Sequence, residues 1–178
     1  MSINDYYYSA VHATHTGFNV SLARVNNVDK PDIIYLISSV SSSILSNKSI
    51  AEELDNAIET IDQPSDYMKK EKLVIVLTNE NKNLQMALFS HFERNKHIQS
   101  YSSKDVSQSL YGLAEKIGSG QLMVKSSIAK DIQIDLQQTT DTDISARIQS
   151  LILISDTSGK GWFRSLGLPV QRGMYLRI

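Results

Sequence analysis

The sequence contains no cysteine, and that absence removes disulfide bonds, thiolate nucleophiles and cysteine-ligated zinc together. It also lacks an excess of either charge. The 18 Lys and Arg against 19 Asp and Glu give a formal net charge of -1, so no global field draws the chain onto DNA or a membrane. Any nucleic-acid contact has to come from a local patch. No apolar run approaches the roughly 18 residues that span a bilayer. The opening "MSINDYYYSA" has no basic segment leading into an apolar one, which is the pattern of a soluble, unexported protein. On that reading the sequons at Asn19 and Asn47 are incidental. There is no internal repeat, no linker that separates domains, and no G-x-S-x-G elbow to present a serine nucleophile.

What is present fits one domain with a full-sized core. At 178 residues, two independent domains would be cramped. Three extended segments come first, at Tyr6 to Thr14, Phe18 to Val28 and Asp32 to Val40, joined by the turn-forming "HTG" and "NNVDKP". No helical pattern separates them, so they are expected to form an antiparallel meander. The polar "SSSILSNK" then reads as a flexible loop. In "SIAEELDNAIETI", Ser49 and Glu52 have capping-box spacing, and Ile50, Leu54, Ala57, Ile58 and Ile61 line one face of a helix.

"KLVIVLT" is an uninterrupted apolar run, as expected of a central strand covered on both faces. A helix follows with Leu84, Leu88 and Phe92 in register, then the short strand "HIQSY". A third helix places Val106, Leu110, Leu113 and Ile117 on one side and stops at Gly118. "QLMV" reads as a short extended piece. Ile128, Ile132 and Leu136 recur at fours in a fourth helix. The last, "DTDISARIQSLILI", is expected to be capped by Asp141 or Thr142 and buried through Ile144, Ile148, Leu151 and Ile152. Met86, Leu88 and Leu110 are expected in the core.

The order βββ-α-β-α-β followed by helices is that of the ribonuclease H-like fold. The expected class is α/β: a mixed five-stranded sheet, a meander then alternating βα units, flanked by helices. A flavodoxin-like or Rossmann sheet needs a helix between the first two strands, and none is available there.

Within that fold the chain resembles the nuclease domain of phage large terminases, from about Tyr6 to Ser155. The likeness lies in "LVIVLTNENKN", similar to that family's fourth strand, and in "LAEKIGSGQLMV", similar to a helix leading to a short strand. "DIQIDLQQ" and "DTDISARIQSLILI" resemble its last two helices. The resemblance implies two divalent metals about 3.5–4 Å apart, held by carboxylates from the first strand, the fourth strand and the last helix.

Carried onto this sequence, the first-strand acid falls on His12 and a second, on the next strand, on Asn19. The fourth-strand position falls near Leu77 or Thr78, with Glu80 a little beyond it. The last helix keeps Asp141 and Asp143. The expectation is therefore a degenerate metal site in a domain of residues 1–156, acting as a binding or structural component of a phage or viral assembly, cytoplasmic or in a virion, with no cofactor and no membrane. The alternative is an active metal-dependent DNA endonuclease binding Mg or Mn through Glu80, Asp141, Asp143 and His12. A mixed site of His12, His15, Glu80 and Asp143 for zinc, copper or nickel requires a turn beginning near Ala13, since residues three apart on a strand point to opposite faces.

Other chemistry is excluded by missing partners. "HAT" at His12 to Thr14 matches half of a two-histidine phosphoesterase motif, and neither His91 nor His97 supplies the second half. "SGKG" at Ser158 to Gly161 is not a Walker loop, because Ile154 stands where its first glycine belongs.

The segment 157–178 is a basic, aromatic tail. Lys160, Arg164, Arg172 and Arg177 are interleaved with Trp162, Phe163 and Tyr175, and no acid is present. Arginine and aromatic residues are enriched where one protein anchors on another, so these residues are expected to bind a protein partner in a larger assembly. Packing on the domain's own sheet and gripping a nucleic-acid backbone are alternative uses of the same mixture.

Overall fold

The computed structural model describes residues 6–14, 16–25, 33–43, 46–59, 73–78, 82–92, 98–101, 105–140 and 142–157. Strands β1 (Tyr6–Ala13), β2 (Phe18–Val25) and β3 (Ile34–Ser42) come first, then helix α1 (Asn47–Glu59), β4 (Leu73–Thr78), α2 (Lys82–His91) and β5 (Ile98–Tyr101). They are followed by α3 (Val106–Gly118), β6 (Leu122–Val124), α4 (Ser126–Gln138) and α5 (Ala146–Thr157). The strands form one mixed sheet in the order β5-β4-β1-β2-β3-β6. The meander is antiparallel, and β4, β5 and β6 each join parallel to their neighbours.

This is the ribonuclease H-like order expected from the sequence, with one addition. The sheet has six strands rather than five, because "QLMV" supplies β6, which pairs with Ile34 to Leu36 at the edge of β3. Three residues are enough there because β6 has only one neighbour to satisfy.

Alternation along the strands divides the side chains between two cores. Tyr8 and Ala10 of β1, Ala23 and Val25 of β2 and Val76 of β4 enter the core beneath α3, α4 and α5. Tyr7, Val11, Phe18, Val20, Leu22, Ile75 and Leu77 enter the other, beneath α1 and α2. A bulge between Leu22 and Ala23 shifts the β2–β3 register, so that Ser38 and Leu36 are successive partners. It turns Leu36 toward the first core and Ile37 toward the second.

Helix α5 is buried almost all round, from Ile148 through Thr157, because it lies on the sheet with α3 and α4 packed over it. That accounts for the unbroken apolar run from Leu151 to Ile154. Leu84 and Leu88 of α2, and Phe92 just after it, are buried as their spacing requires, whereas Met86, expected in the core, is 70% exposed.

The helix starts differ from expectation. Ser46, not Ser49, caps α1: its Oγ accepts from the Ser49 N–H at 3.0 Å and its hydroxyl donates to Ser49 Oγ at 2.7 Å. Helix α5 begins at Ala146, and its cap is Ser145, whose Oγ accepts from the Ile148 N–H at 3.3 Å. Thr142 and Asp143 precede the helix because Thr140 and Asp143 close a turn on each other, through Thr140 N–H to Asp143 O at 3.0 Å and Asp143 N–H to Thr140 Oγ1 at 3.0 Å. Helix α3 ends at Gly118 as expected, and the chain reverses at Gly120, whose φ of 77° suits glycine.

Candidate functional site

The expected centre lies where the C-terminal end of β1 meets the start of α5. His12 stands opposite Asn19 across β1 and β2, and Asn19 stands opposite Ser41 across β2 and β3. By strand alternation all three point to the α5 side, in one row across the sheet. Ser21 and Ser39 make the next row.

These residues form a closed polar network. The Asn19 Nδ2 donates to Ser41 Oγ at 2.9 Å and to Ser39 Oγ at 3.2 Å, while its Oδ1 accepts from the Ser21 hydroxyl at 2.7 Å. Ser21 and Ser39 hydroxyls also meet at 3.0 Å. Asn19 and Ser21 are wholly buried, so each hydrogen bond spares a group that would otherwise lose its water for nothing. From α5 the Ser150 hydroxyl donates to Asn19 O at 3.4 Å.

The network ends on a charge. Arg147 of α5 donates from Nε to Ser39 Oγ at 3.2 Å and from Nη1 to Asp135 Oδ2 of α4 at 2.9 Å. Ser145 donates to the same Asp135 oxygen at 3.2 Å, so one carboxylate holds both the cap and the first turn of α5. The side chains of Arg147 and Asp135 are 13% and 21% exposed, which leaves the pair only weakly screened by salt.

His12 is outside the network. Its Nδ1 is buried and has no hydrogen-bond partner among the described residues. Burial pushes the imidazole pKa below the ordinary 6.5, because the charged form is the one that loses most by leaving water. His12 is accordingly neutral at physiological pH.

Asp143 is exposed in the turn before α5, not on the helix. Leu77, one of the two candidates for the fourth-strand position, packs in the opposite core beside its partner Val11. Among the described residues no three His, Asp or Glu side chains are grouped so as to hold a metal ion. Glu80, Asp141 and His15 lie outside the described residues, as do Lys160, Trp162, Phe163, Arg164, Arg172, Tyr175 and Arg177.

Arg147, Asp135, Ser39 and Ser41 were not among the expected site residues. Arg147 had a visible signal: it is the one charged residue between Ala146 and Ser155, in a helix otherwise made to be buried. Among the described residues no helix is long and apolar enough to cross a membrane.

No family model matches the sequence, and no curated protein matches it. Solved structures do. The human cytomegalovirus terminase nuclease domain, soaked with Mn, superposes with a TM-score of 0.57 at 12% identity, over 86% of this chain and 84% of that one. The nuclease domain of the large terminase g2p from bacteriophage SPP1, with bound Mn, gives 0.51 at 13% identity, over 92% and 88%. The likeness is one of fold, and the fold is ribonuclease H-like.

Proposed function

We propose that this ribonuclease H-like chain keeps the scaffold of a two-metal nuclease without its chemistry, and serves as a binding or structural component of a phage or viral assembly. The observation that carries the reading is the donor set at the end of the sheet. Hard divalent ions require several anionic oxygens. The first two strands offer an imidazole, an amide and hydroxyls, and the Asn19 amide oxygen is already engaged by Ser21. These residues do not fit a pair of magnesium or manganese ions. The guanidinium at the edge of the same network adds to the cost of bringing in a further cation.

The likeness to two terminase nuclease domains supports the viral setting. Contact with a protein partner is assigned to the tail, through Lys160, Trp162, Phe163, Arg164, Arg172, Tyr175 and Arg177, whose composition suits an interface anchor.

A second reading is an active endonuclease with Glu80, Asp141, Asp143 and His12 around Mg or Mn. His12 favours it, since a neutral imidazole with an unpartnered nitrogen is able to bind a metal. Incubation of plasmid DNA with the chain in magnesium or manganese separates the two. The expected result is intact plasmid with both the parent and Asp143→Ala; cleavage by the parent that disappears in Asp143→Ala overturns the first reading.

A further inference from the structure

Helix α5 is the element that, in the resemblance drawn above, brings a carboxylate to a metal. Here it brings a guanidinium to a carboxylate. Arg147 is nearly buried, and its two contacts point in different directions, to Asp135 on α4 and to Ser39 on β3. Through Ser39 it reaches Asn19 on β2, at one of the positions where the resemblance expects an acid. A single positive group therefore draws together oxygens from a strand and a neighbouring helix, while Ser145 on the same carboxylate fixes the start of α5. Pulling oxygen ligands from separate elements onto one centre is the structural work that a bound cation does in a metal domain.

We propose that Asp135, Arg147, Ser39 and Asn19 form an internal cation site in which the Arg147 guanidinium is the resident cation, fixing α4 and α5 to the β2–β3 side of the sheet. The inference rests on the reading of the chain as a domain that does not bind catalytic metal. Its chemistry is that of a positive charge with a planar fork: one N–H goes to a carboxylate and another to a hydroxyl, which suits arginine better than lysine.

The site is also convertible. With the guanidinium removed, the Asp135 carboxylate and the Ser39 hydroxyl face the vacated space. A carboxylate at position 19 then gives a set of hard oxygens from two sides, which is the kind of set that manganese prefers.

Thermal unfolding of the full chain, followed by circular dichroism in chelator and in manganese, tests this. Arg147→Met keeps most of the volume and removes the charge, and is expected to lower Tm by about 4–12 °C. Arg147→Lys keeps the charge and is expected to recover about half of that loss. In the double variant Arg147→Met with Asn19→Asp, manganese is expected to raise Tm by several degrees, with bound manganese visible by electron paramagnetic resonance.

The proposal is overturned if Arg147→Met unfolds with the parent, if Arg147→Lys loses as much as Arg147→Met, or if the folded double variant ignores manganese. Should the double variant not fold, a cycle of Arg147→Met and Asp135→Asn supplies the decision: a strong coupling supports the site, and additive losses overturn it. Failure of the underlying reading shows separately, as manganese-dependent plasmid cleavage by the parent.

Discussion

His12 and Asn19 are cross-strand partners on β1 and β2, and burial treats them in opposite ways. Asn19 satisfies its amide with three hydrogen bonds to serines, while the His12 Nδ1 has none among the described residues. One is a fixed part of the sheet. The other is a neutral ring held in a place that disfavours its charge.

That difference gives a pH dependence with a definite sign. The unfolded chain binds a proton at His12 near the ordinary 6.5, and the folded chain binds it only at lower pH. Between the two values the unfolded state carries more protons, so stability rises with pH across that window. It is complete above the unfolded value and declines as pH falls below it. Urea unfolding at about pH 5 and about pH 7.5 should show a smaller pH-dependent loss in His12→Gln than in the parent. Equal losses in the two proteins would remove the burial argument for His12.

Asn19→Ala should be among the costliest polar substitutions in the chain. It removes the donor to Ser39 and Ser41 and the acceptor of Ser21, leaving hydroxyls to find partners inside the sheet. A loss of about 2–4 kcal/mol is expected from the unpaired groups and the small cavity together. Chemical denaturation measures it; a change under about 1 kcal/mol would mean that water or rearrangement replaces the network without penalty.

Ser9 predicts the reverse. It is wholly buried, and its Oγ has no partner among the described residues. By alternation it points from β1 into the core of Val11, Ile75 and Leu77. Ser9→Ala removes an unsatisfied hydroxyl without opening much space, so stability should rise by about 0.5–2 kcal/mol. A destabilised Ser9→Ala would show that the hydroxyl is satisfied in solution.

Much of the fold was legible because strand order constrains topology so tightly. Three extended segments with no helix between them, followed by the fully apolar "LVIVLT", left few arrangements open. The site was less legible. Ser41 and Ser42 read as the start of a loop on composition, since serine offers a strand little to pack, yet β3 extends through Ser42. The signal lay in two strands at once: Asn19 and Ser21 alternate with Val20 and Leu22, and Ser39 and Ser41 flank Val40, so two polar rows can meet. The turn of Thr140 with Asp143 defeated the expected start of α5, because a side-chain to backbone bond competes locally with the helix. The partner of Arg147 was not legible, because Asp135 comes from α4, twelve positions earlier, and only the packing of α4 beside α5 brings the two together.

Gly17 is required by closeness rather than by dihedral angle. A Cβ built there would lie 2.5 Å from Ser42 O, a backbone atom at the end of β3. Gly17→Ala must push the β1–β2 turn away from β3, and the Thr14 N–H to Gly17 O bond of 2.8 Å moves with it. The expected cost is about 1–3 kcal/mol, with faster amide exchange at the Phe18 end of the β2–β3 ladder. Unchanged exchange together with unchanged stability would show that the turn tolerates the extra atom.

The tail provides a test in which the fold and the proposed role predict different things. Thr157 is the last residue of α5; it is buried, its hydroxyl meets the Tyr8 hydroxyl, and it also donates to Leu153 O at 2.6 Å. The end of α5 is therefore tied to β1 before the tail begins. If the tail is a partner anchor, truncation after Ser158 should leave Tm within about 2 °C of the full chain. A photoreactive group at Trp162, activated in the producing cells, should then cross-link to another polypeptide, identifiable by mass spectrometry. If the tail instead covers its own sheet, exposing the apolar surface beneath three aromatic side chains costs several kcal/mol at about 25 cal/mol per Å². The truncated chain would then melt well below the parent, and cross-links from Trp162 would fall within residues 6–157 of the same chain. That pair of results would return the tail to the core and remove it from the list of binding segments.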